Sequence, residues 1–251
     1  MNHFLVIVPI HNGIEWISRC LDSIFVQRYN DFDIMVIDDH STDGTWGEIC
    51  KRNFNIARNN KRNGSGLENI KKGIDFMNPS PDTIIVTVDG DDYLSNENVL
   101  SYLNEIYSED IWMTYGQFTP ISGRYKGVCQ PLEYNITFND AGEKVINQLT
   151  SQTYRRSGAW VTSHLRTFRA WLWNKIEDSD LRDCEGKYFK VAWDLAFMYP
   201  MIEMAGSHLK YIDKILYFYN DLNPSCDGTV NPRLQIETGK YIQSKPIYKE
   251  L

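Results

Sequence analysis

The stretch Thr83-Ile-Ile-Val-Thr-Val-Asp89-Gly-Asp-Asp92 decides the fold class of this chain of 251 residues. A β-branched, almost wholly apolar run of this length is typical of a strand that is buried on both faces, and an acidic turn follows it directly. Similar runs occur at residues 4–10 and 33–38, and a weaker one occurs at residues 54–58. The first half of the chain therefore contains a series of predicted strands.

Helices are predicted between these strands, because apolar residues recur there at helical spacing. They cover residues 14–25, 45–52, 67–77 and 99–107, and a further strand is predicted at residues 111–118. Strands and helices that alternate in this way predict an α/β fold, in which helices flank a mostly parallel central sheet wound by right-handed crossovers.

The second half of the chain is less regular. Residues 119–139 are rich in proline, glycine and aromatic side chains and predict a long ordered loop, a kind of segment that is often functional. Further predictions are a strand at 159–163, helices at 165–176 and 191–205, a strand at 215–219 and a partly helical tail from 232. Since no Gly-, Ser- or Pro-rich linker divides the chain, we predict a single domain over residues 1–251.

Charge and cysteine content exclude several classes of protein. The chain has 26 Lys and Arg against 33 Asp and Glu, a net charge of −7, so it lacks the basic face that nucleic acid requires. Its five cysteines form no C-x-x-C motif, which predicts neither a zinc ribbon nor a disulfide framework and favours a reducing location. The apolar run at residues 4–10 is too short to span a bilayer and lacks the flanks of a signal peptide. We therefore expect a soluble, cytoplasmic protein without a transmembrane segment, in the host cytoplasm if the source is viral.

The residues at the ends of three predicted strands are mostly polar. They are Pro9, His11 and Asn12 after the first strand, Asp38, Asp39 and Asp43 after the second, and Asp89, Gly90, Asp91 and Asp92 after the third. In an open parallel sheet, ligands bind outside the carboxyl ends of the strands. Carboxylates that crowd together repel one another, and a bound Mg²⁺ or Mn²⁺ would compensate for that repulsion.

Ordinary turn and capping roles compete with this interpretation. Asp and Gly are common in turns, and the spacing Asp-x-Asp recurs at residues 31–33 and 178–180, so the spacing alone carries little information. Asp89 and Asp91 are distinguished by their position at the end of the most β-branched strand. The polar residues at 41–43 would also serve as caps of the next helix.

Four stretches together resemble family 2 glycosyltransferases of the GT-A fold. They are Val6-Ile-Val-Pro-Ile-His-Asn12, Cys20-Leu-Asp-Ser-Ile24, Val36-Ile-Asp-Asp-His-Ser-Thr-Asp-Gly-Thr45 and Val88-Asp-Gly-Asp-Asp92. The match in order and spacing extends from residue 4 to about residue 115. It implies a Rossmann-like nucleotide-diphospho-sugar transferase fold. It also implies metal-dependent, inverting transfer of a sugar from a nucleotide-sugar, most often a UDP-sugar, to a hydroxyl of a glycan or glycoconjugate acceptor.

The resemblance also implies roles for individual residues. The nucleotide-sugar would be held by Pro9, His11, Asn12, Asp38, Asp39, Asn69, Asp89 and Gly90. The divalent cation, Mn²⁺ or Mg²⁺, would be held against the diphosphate by Asp91, Asp89 and His164. Asp194 would be the catalytic base, with Trp193 in place of the Glu that usually precedes it. Residues 1–118 would bind nucleotide-sugar and metal, and residues 119–231 would form the acceptor and catalytic half. The sequence leaves open whether the tail at 232–251 covers the active site or joins the subunits of a homodimer.

Two other functions stay open at this point. A nucleotidyltransferase of related fold would need a basic, glycine-rich signature after the first strand, and His11-Asn-Gly-Ile14 lacks the Lys or Arg. A non-catalytic sugar- or nucleotide-binding module has no need for the mutual repulsion of the acidic turn. For His164 a structural role competes with the metal-ligand role, and Asp194 would also be favoured at a helix start by the helix dipole.

Overall fold

The computed structural model describes residues 1–132, 149–224 and 231–251, together with the backbone of 135–138 and 144–147. The strands are β1 Phe4–Ile10, β2 Phe32–Asp38, β3 Asn55–Arg58, β4 Ile84–Thr87, β5 Tyr93–Leu94, β6 Met113–Pro120, β7 Asn135–Phe138, β8 Lys144–Asn147, β9 Ser163–Arg169 and β10 Leu209–Tyr219. The helices are α1 Ile17–Phe25, α2 Thr45–Ile49, α3 Gly66–Met77, α4 Val99–Ile106, α5 Ser151–Tyr154, α6 Ala170–Trp173, α7 Trp193–Ala205 and α8 Pro232–Ser244.

One mixed sheet organises these elements, with the strand order β3-β2-β1-β4-β9-β6-β10-β5. The strands from β3 to β4 are parallel, as predicted, and β10 is parallel to β6. β9 is antiparallel to both of its neighbours, and β5 is antiparallel to β10. β7 and β8 form a separate antiparallel pair.

Apolar layers cover both faces of β1, and all seven of its residues are buried. Leu5 and Ile7 pack in the layer that contains α3 and α7, whereas Val6 and Val8 pack in the layer that contains α1 and α4. A strand enclosed in this way has no polar face, which is why its sequence is a continuous apolar run. The polar residues that follow it therefore mark the strand end.

Three sequence-based predictions are wrong in the second half: the strand at 159–163, the helix at 165–176 and the start of the strand at 215–219. Strand β9 begins only at Ser163, residues 165–169 belong to it rather than to a helix, and only Ala170–Trp173 of the predicted helix is helical. Apolar residues there fit helical spacing, but pairing between β4 and β6 buries six of the seven residues of β9. Strand β10 starts six residues earlier than predicted, at Leu209.

The predicted loop at 119–139 is also not wholly irregular. β6 extends to Pro120, and residues 135–138 form β7 because they pair with β8. Residues 133, 134 and 139 of this stretch lie outside the described residues. Across the part of the chain that the structure describes, no helix combines the length and the apolar character that crossing a bilayer requires.

Candidate active site

A cleft of about 610 Å³ opens where β1 and β4 end. Ten of the residues predicted for the site line it. They are Pro9, His11, Asn12, Asp39, Asn69, Asp89, Gly90, Asp91, His164 and Asp194. The cleft thus brings together residues that follow β1, β2 and β4 with residues of α3, β9 and α7, which the sequence separates widely.

Asp38 is the one predicted site residue that does not line the cleft. Its side chain is fully buried, accepts the N–H of Ser41 at 3.2 Å and pairs with the Nε of Arg58 at 3.0 Å. Arg58 in turn donates to the carbonyl of Ser41 at 2.6 Å. Asp38 therefore stabilises the turn after β2 from the buried side, away from the cleft, while its neighbour Asp39 lines the cleft.

The turn after β1 is fastened to the turn after β2 by hydrogen bonds. Asn12, in the left-handed region at φ 49°, donates its N–H to Ser41 at 2.8 Å and accepts the N–H of Thr42 at 2.9 Å. The N–H of Gly13 reaches the hydroxyl of Thr45 at 2.9 Å. Polar residues of the second turn thus hold the first turn, so they do more than cap the next helix.

Asp39 organises the loop that leads into α3. Its Oδ1 accepts the side-chain amide of Asn59 at 2.7 Å and the backbone N–H of Asn63 at 3.0 Å, and its Oδ2 accepts the N–H of Gly64 at 2.8 Å. An ionised carboxylate has roughly four acceptor positions, so one remains on Oδ2 beside the cleft. This wall is held in place before any ligand arrives.

The orientation of the Asn69 amide follows from its neighbours. Its Oδ1 accepts the amides of Asn59 and Asn63, each at 2.8 Å. Asn63 must present its NH₂ to Asn69 because its own Oδ1 accepts the N–H of Ser65 at 2.8 Å. With its oxygen used in this way, and with no partner for its NH₂ among the residues that the structure describes, Asn69 can offer this NH₂ to a carbonyl group in the cleft.

A possible cation-binding cluster of three side chains forms at the end of β4. One ligand atom each from Asp89, Asp92 and His164 lies within 4.8 Å of the others. Asp89 and His164 were both predicted metal ligands. Asp91, the third, lies outside this cluster; it lines the cleft and accepts the amide of Asn223 at 2.7 Å.

The residues of this region fit a divalent cation. The Nδ1 of His164 is buried and has no hydrogen-bond partner among the described residues. Burial, with the nearby charge of Arg166, lowers the pKa of His164, and this favours the neutral imidazole that metals bind. Burial and the charges of Asp91 and Asp89 raise the pKa of Asp92, which is the unfavourable clustering that a cation would relieve.

Arg166 joins this cluster to the predicted base. It is 3% exposed on β9, and its Nη2 lies 2.9 Å from Oδ2 of Asp194 and 3.3 Å from Nε2 of His164. Its Nε and Nη1 are buried without a hydrogen-bond partner in the described part of the chain. Burial disfavours the charged guanidinium and acts to lower the pKa of Arg166. The carboxylates of Asp194 and Asp89 act in the opposite direction, and the pKa is raised overall. A permanent cation with unused N–H groups thus lies in the wall of the cleft.

Trp193, the residue before the predicted base, packs against the start of α3. A Cβ atom at Gly66 would lie 2.9 Å from Cζ2 of Trp193, closer than side chains tolerate. Only a glycine at position 66 lets the indole approach the helix this closely. The contact fixes the first turn of α7, from which Asp194 projects.

Sequence reasoning missed the residues that β10 and the following loop contribute. Tyr217 contacts Asp89, Asp92 and His164, and Asn223 donates a hydrogen bond to Asp91. The sequence indicated a strand at 215–219, but no local pattern shows which distant residues a strand will reach.

Comparisons with known proteins agree with this arrangement. Residues 5–169 match the family described as Glycosyl transferase family 2. Glycosyltransferase GlyA of Streptococcus pneumoniae serotype 4 (strain ATCC BAA-334 / TIGR4) is 30% identical over 222 residues, which cover 85% of this chain and 30% of that protein. The chain thus spans less than a third of this curated relative.

Solved structures show the same fold. S. aureus TarS 1-349 in complex with UDP-GlcNAc superposes with a TM-score of 0.67 at 19% identity, covering 96% of this chain and 65% of that one. Mannosyltransferase PcManGT from Pyrobaculum calidifontis, in complex with GDP-Man and Mn²⁺, gives a TM-score of 0.57 at 16% identity, covering 98% and 66%. The predicted GT-A fold class is confirmed by these likenesses.

Proposed function

The chain belongs to glycosyltransferase family 2, and from this premise we propose that it is a transferase. It moves a sugar from a UDP-sugar to a hydroxyl group of a glycan or glycoconjugate, with inversion and with the help of Mn²⁺ or Mg²⁺. One observation carries the proposal. A single cleft contains both the acidic and imidazole groups at the end of β4 and the carboxylate of Asp194 at the start of α7. Donor activation and acceptor deprotonation both have a candidate group there.

The nucleoside would lie against the wall formed by Asn12, Asp39 and Asn69. Asp39 has an acceptor position left, and Asn69 has an NH₂ group left. Uracil presents an N–H flanked by two carbonyl groups, which is complementary to this pair. The UDP-GlcNAc complex of the TarS relative supports a uracil-containing donor.

The diphosphate would lie beside the acidic turn. Asp89 and His164 of the cation-binding cluster line the cleft together with Asp91, and these three would hold the cation, with Asp92 behind them; the cation when bound supplies Lewis-acid stabilisation of the departing diphosphate. The PcManGT complex, which contains Mn²⁺, supports this assignment. The buried Nε and Nη1 atoms of Arg166 would donate to diphosphate oxygens and stabilise the same negative charge.

Asp194 would remove the proton of the acceptor hydroxyl. Its carboxylate is partly accessible, with 21% of the side chain exposed, and the guanidinium of Arg166 holds one of its oxygens. A carboxylate suffices because the hydroxyl becomes acidic only as its bond to the anomeric carbon forms. Attack from the face opposite the diphosphate inverts that carbon, and no covalent intermediate on the protein is required. The aromatic Trp160 and Trp193, which also line the cleft, would face the sugar rings.

The test is release of UDP from a panel of UDP-sugars, with and without glycan acceptors. We expect release that EDTA abolishes and Mn²⁺ restores. Asp194→Asn should retain UDP binding and lose at least about 100-fold in turnover, since a positioned base contributes about 10²–10⁴-fold. Asp75→Asn, which removes an exposed carboxylate on α3 paired with Lys71, is the matched control and should leave turnover unchanged.

Different products separate the rival functions. A nucleotidyltransferase would release pyrophosphate from a nucleoside triphosphate and a sugar phosphate, whereas a binding module would bind UDP and release nothing. Full turnover by Asp194→Asn would show that another group is the base. A glycan or glycoconjugate acceptor, a homodimer and the cytoplasmic location stay predictions.

A further inference from the structure

We propose that Tyr217 is a positioning residue that sets the geometry of the cation-binding cluster, because it contacts Asp89, Asp92 and His164. This inference rests on the metal-binding part of the proposed function. Tyr217 is fully buried and does not line the cleft, so it acts through the groups that it holds rather than on the substrate.

The hydroxyl group of Tyr217 fixes the acidic turn. It accepts the backbone N–H of Asp89 at 3.0 Å and donates to Oδ2 of Asp92 at 2.7 Å. One lone pair and the single proton of the hydroxyl are therefore both engaged, which leaves the group one orientation. The other oxygen of Asp92 accepts the N–H of Asn220 at 2.7 Å, so β10 and the residue after it hold this carboxylate at both ends.

The ring of Tyr217 fixes the imidazole. It stacks on His164 with the ring centroids 4.5 Å apart and the planes 2° from parallel. Phe118 meets the same imidazole edge-on, at 5.7 Å and 89°. Two rings at right angles to each other restrict rotation of His164 about its side-chain bonds, so its nitrogens face fixed directions.

Pairing with β5 brings Tyr217 to this position. β5 directly follows the acidic turn after β4, and β10 pairs with it antiparallel, with Tyr217 opposite Leu94 and Phe218 opposite Tyr93. The register of β10 against β6 shifts twice, between Ile212 and Ile215 and between Ile215 and Tyr217. Bulges of this kind bend a strand and re-aim its side chains, and they are frequent beside active sites.

Loss of such a supporting contact typically weakens metal binding by about 10–100-fold. Tyr217→Phe removes the hydroxyl contacts to Asp89 and Asp92 and keeps the stacked ring. Tyr217→Leu removes both. Comparing the two variants therefore separates the contribution that Tyr217 makes to Mn²⁺ affinity through the acidic turn from the contribution that it makes through His164.

The experiment measures Mn²⁺ binding to the full chain by the loss of the free-ion EPR signal, without nucleotide. We expect the Kd for Mn²⁺ to rise about 10-fold in Tyr217→Phe and further in Tyr217→Leu. Tyr107→Phe is the matched control. Tyr107 is equally buried, and its hydroxyl bonds Thr167 at 2.8 Å away from the cluster, so its variant should keep the wild-type Kd.

A second variant covers the case in which Tyr217→Phe folds poorly. Asp92→Asn should raise the Kd for Mn²⁺ as well, and the Kd of the double variant should rise by less than the product of the two single effects, because the two changes share the contact between Tyr217 and Asp92. A Kd for Tyr217→Phe within about twofold of wild type, or additive effects, would overturn the positioning role. A wild-type chain that binds no Mn²⁺ would overturn both this inference and the metal-dependent proposal, and UDP release in EDTA would then show whether sugar transfer survives.

Discussion

The Nη2 atom of Arg166 lies 2.9 Å from Oδ2 of Asp194, and this pair connects the centre of the sheet to the first turn of α7. Arg166 is on β9, the strand that sequence periodicity assigned to a helix, and Asp194 is 28 residues further along the chain. The guanidinium also approaches His164, so it is the point at which the candidate base and the candidate cation site meet.

Arg166→Lys should lower turnover by about 100-fold, a loss of the size that follows small misplacements of catalytic groups. An ammonium group keeps the charge, but it lacks the planar fork that reaches Asp194 and carries two further, buried N–H groups beside the cleft. Steady-state UDP release measures the loss. Arg169→Lys is the control on the same strand, because within the described part of the chain Arg169 donates to backbone carbonyls alone, at the far end of β9. Equal effects of the two substitutions would contradict a specific role for Arg166.

Gly66→Ala should impair turnover through Trp193. The new Cβ would lie 2.9 Å from Cζ2 and 3.0 Å from Cε2 of the indole, so Trp193 must move, and with it the helix turn that presents Asp194. Gly47→Ala in α2 is the matched control, because a Cβ there meets nothing within 4 Å and should stabilise the chain by about 0.5–1 kcal/mol. Thermal unfolding and UDP release of both variants test this. Unaltered turnover in Gly66→Ala would show that the position of Trp193 is immaterial.

Glu203→Gln should destabilise the fold by about 3–5 kcal/mol, since it leaves a buried guanidinium without its counter-charge. Arg155 and Glu203 are each 1% exposed and form a two-point ion pair, and Arg155 also donates to the carbonyl of Pro246 at 2.9 Å. The control is Glu237→Gln, which removes the exposed pair with Arg233 and should cost less than about 0.5 kcal/mol. Urea unfolding gives both values. A small loss of unfolding free energy in Glu203→Gln would mean that other contacts hold the C-terminal segment.

Asp43→Asn should show a stability deficit that depends on pH. Partial burial opposes ionisation of Asp43, but hydrogen bonds from Thr45 and Ile14 outweigh it and lower the pKa below the usual value. The stabilisation from the ionised group is therefore complete above pH of about 4 and is lost as the pH falls through the lower folded-state pKa. Because the side chain is exposed, the deficit at pH 7 should be below about 1 kcal/mol. The denaturation curves of the wild type and of Asp43→Asn should differ at pH 7 and come closer together at pH 3. A difference in stability that is the same at both pH values would contradict this assignment.

The acidic turn shows how far local sequence reaches. Asp89 and Asp91 were predicted for the site because they follow a buried strand, and both line the cleft. The same reasoning placed Asp38 beside Asp39, yet only Asp39 lines the cleft. Consecutive residues at a strand end point to opposite sides, and the partner on each side, Arg58 or the loop before α3, comes from elsewhere in the chain.

The sequence by itself determined the parallel βαβ half and the polar residues at its strand ends. Both features arise from patterns that extend over a few residues, namely continuous apolar runs, helical spacing and turn residues. Only the tertiary structure decided that β9 is a central strand, that Arg166 meets Asp194, and that Tyr217 reaches Asp89 across 128 residues of chain. Antiparallel insertion and strand bulges depend on which distant backbone groups remain to be paired, and that requirement leaves no periodic trace in the sequence.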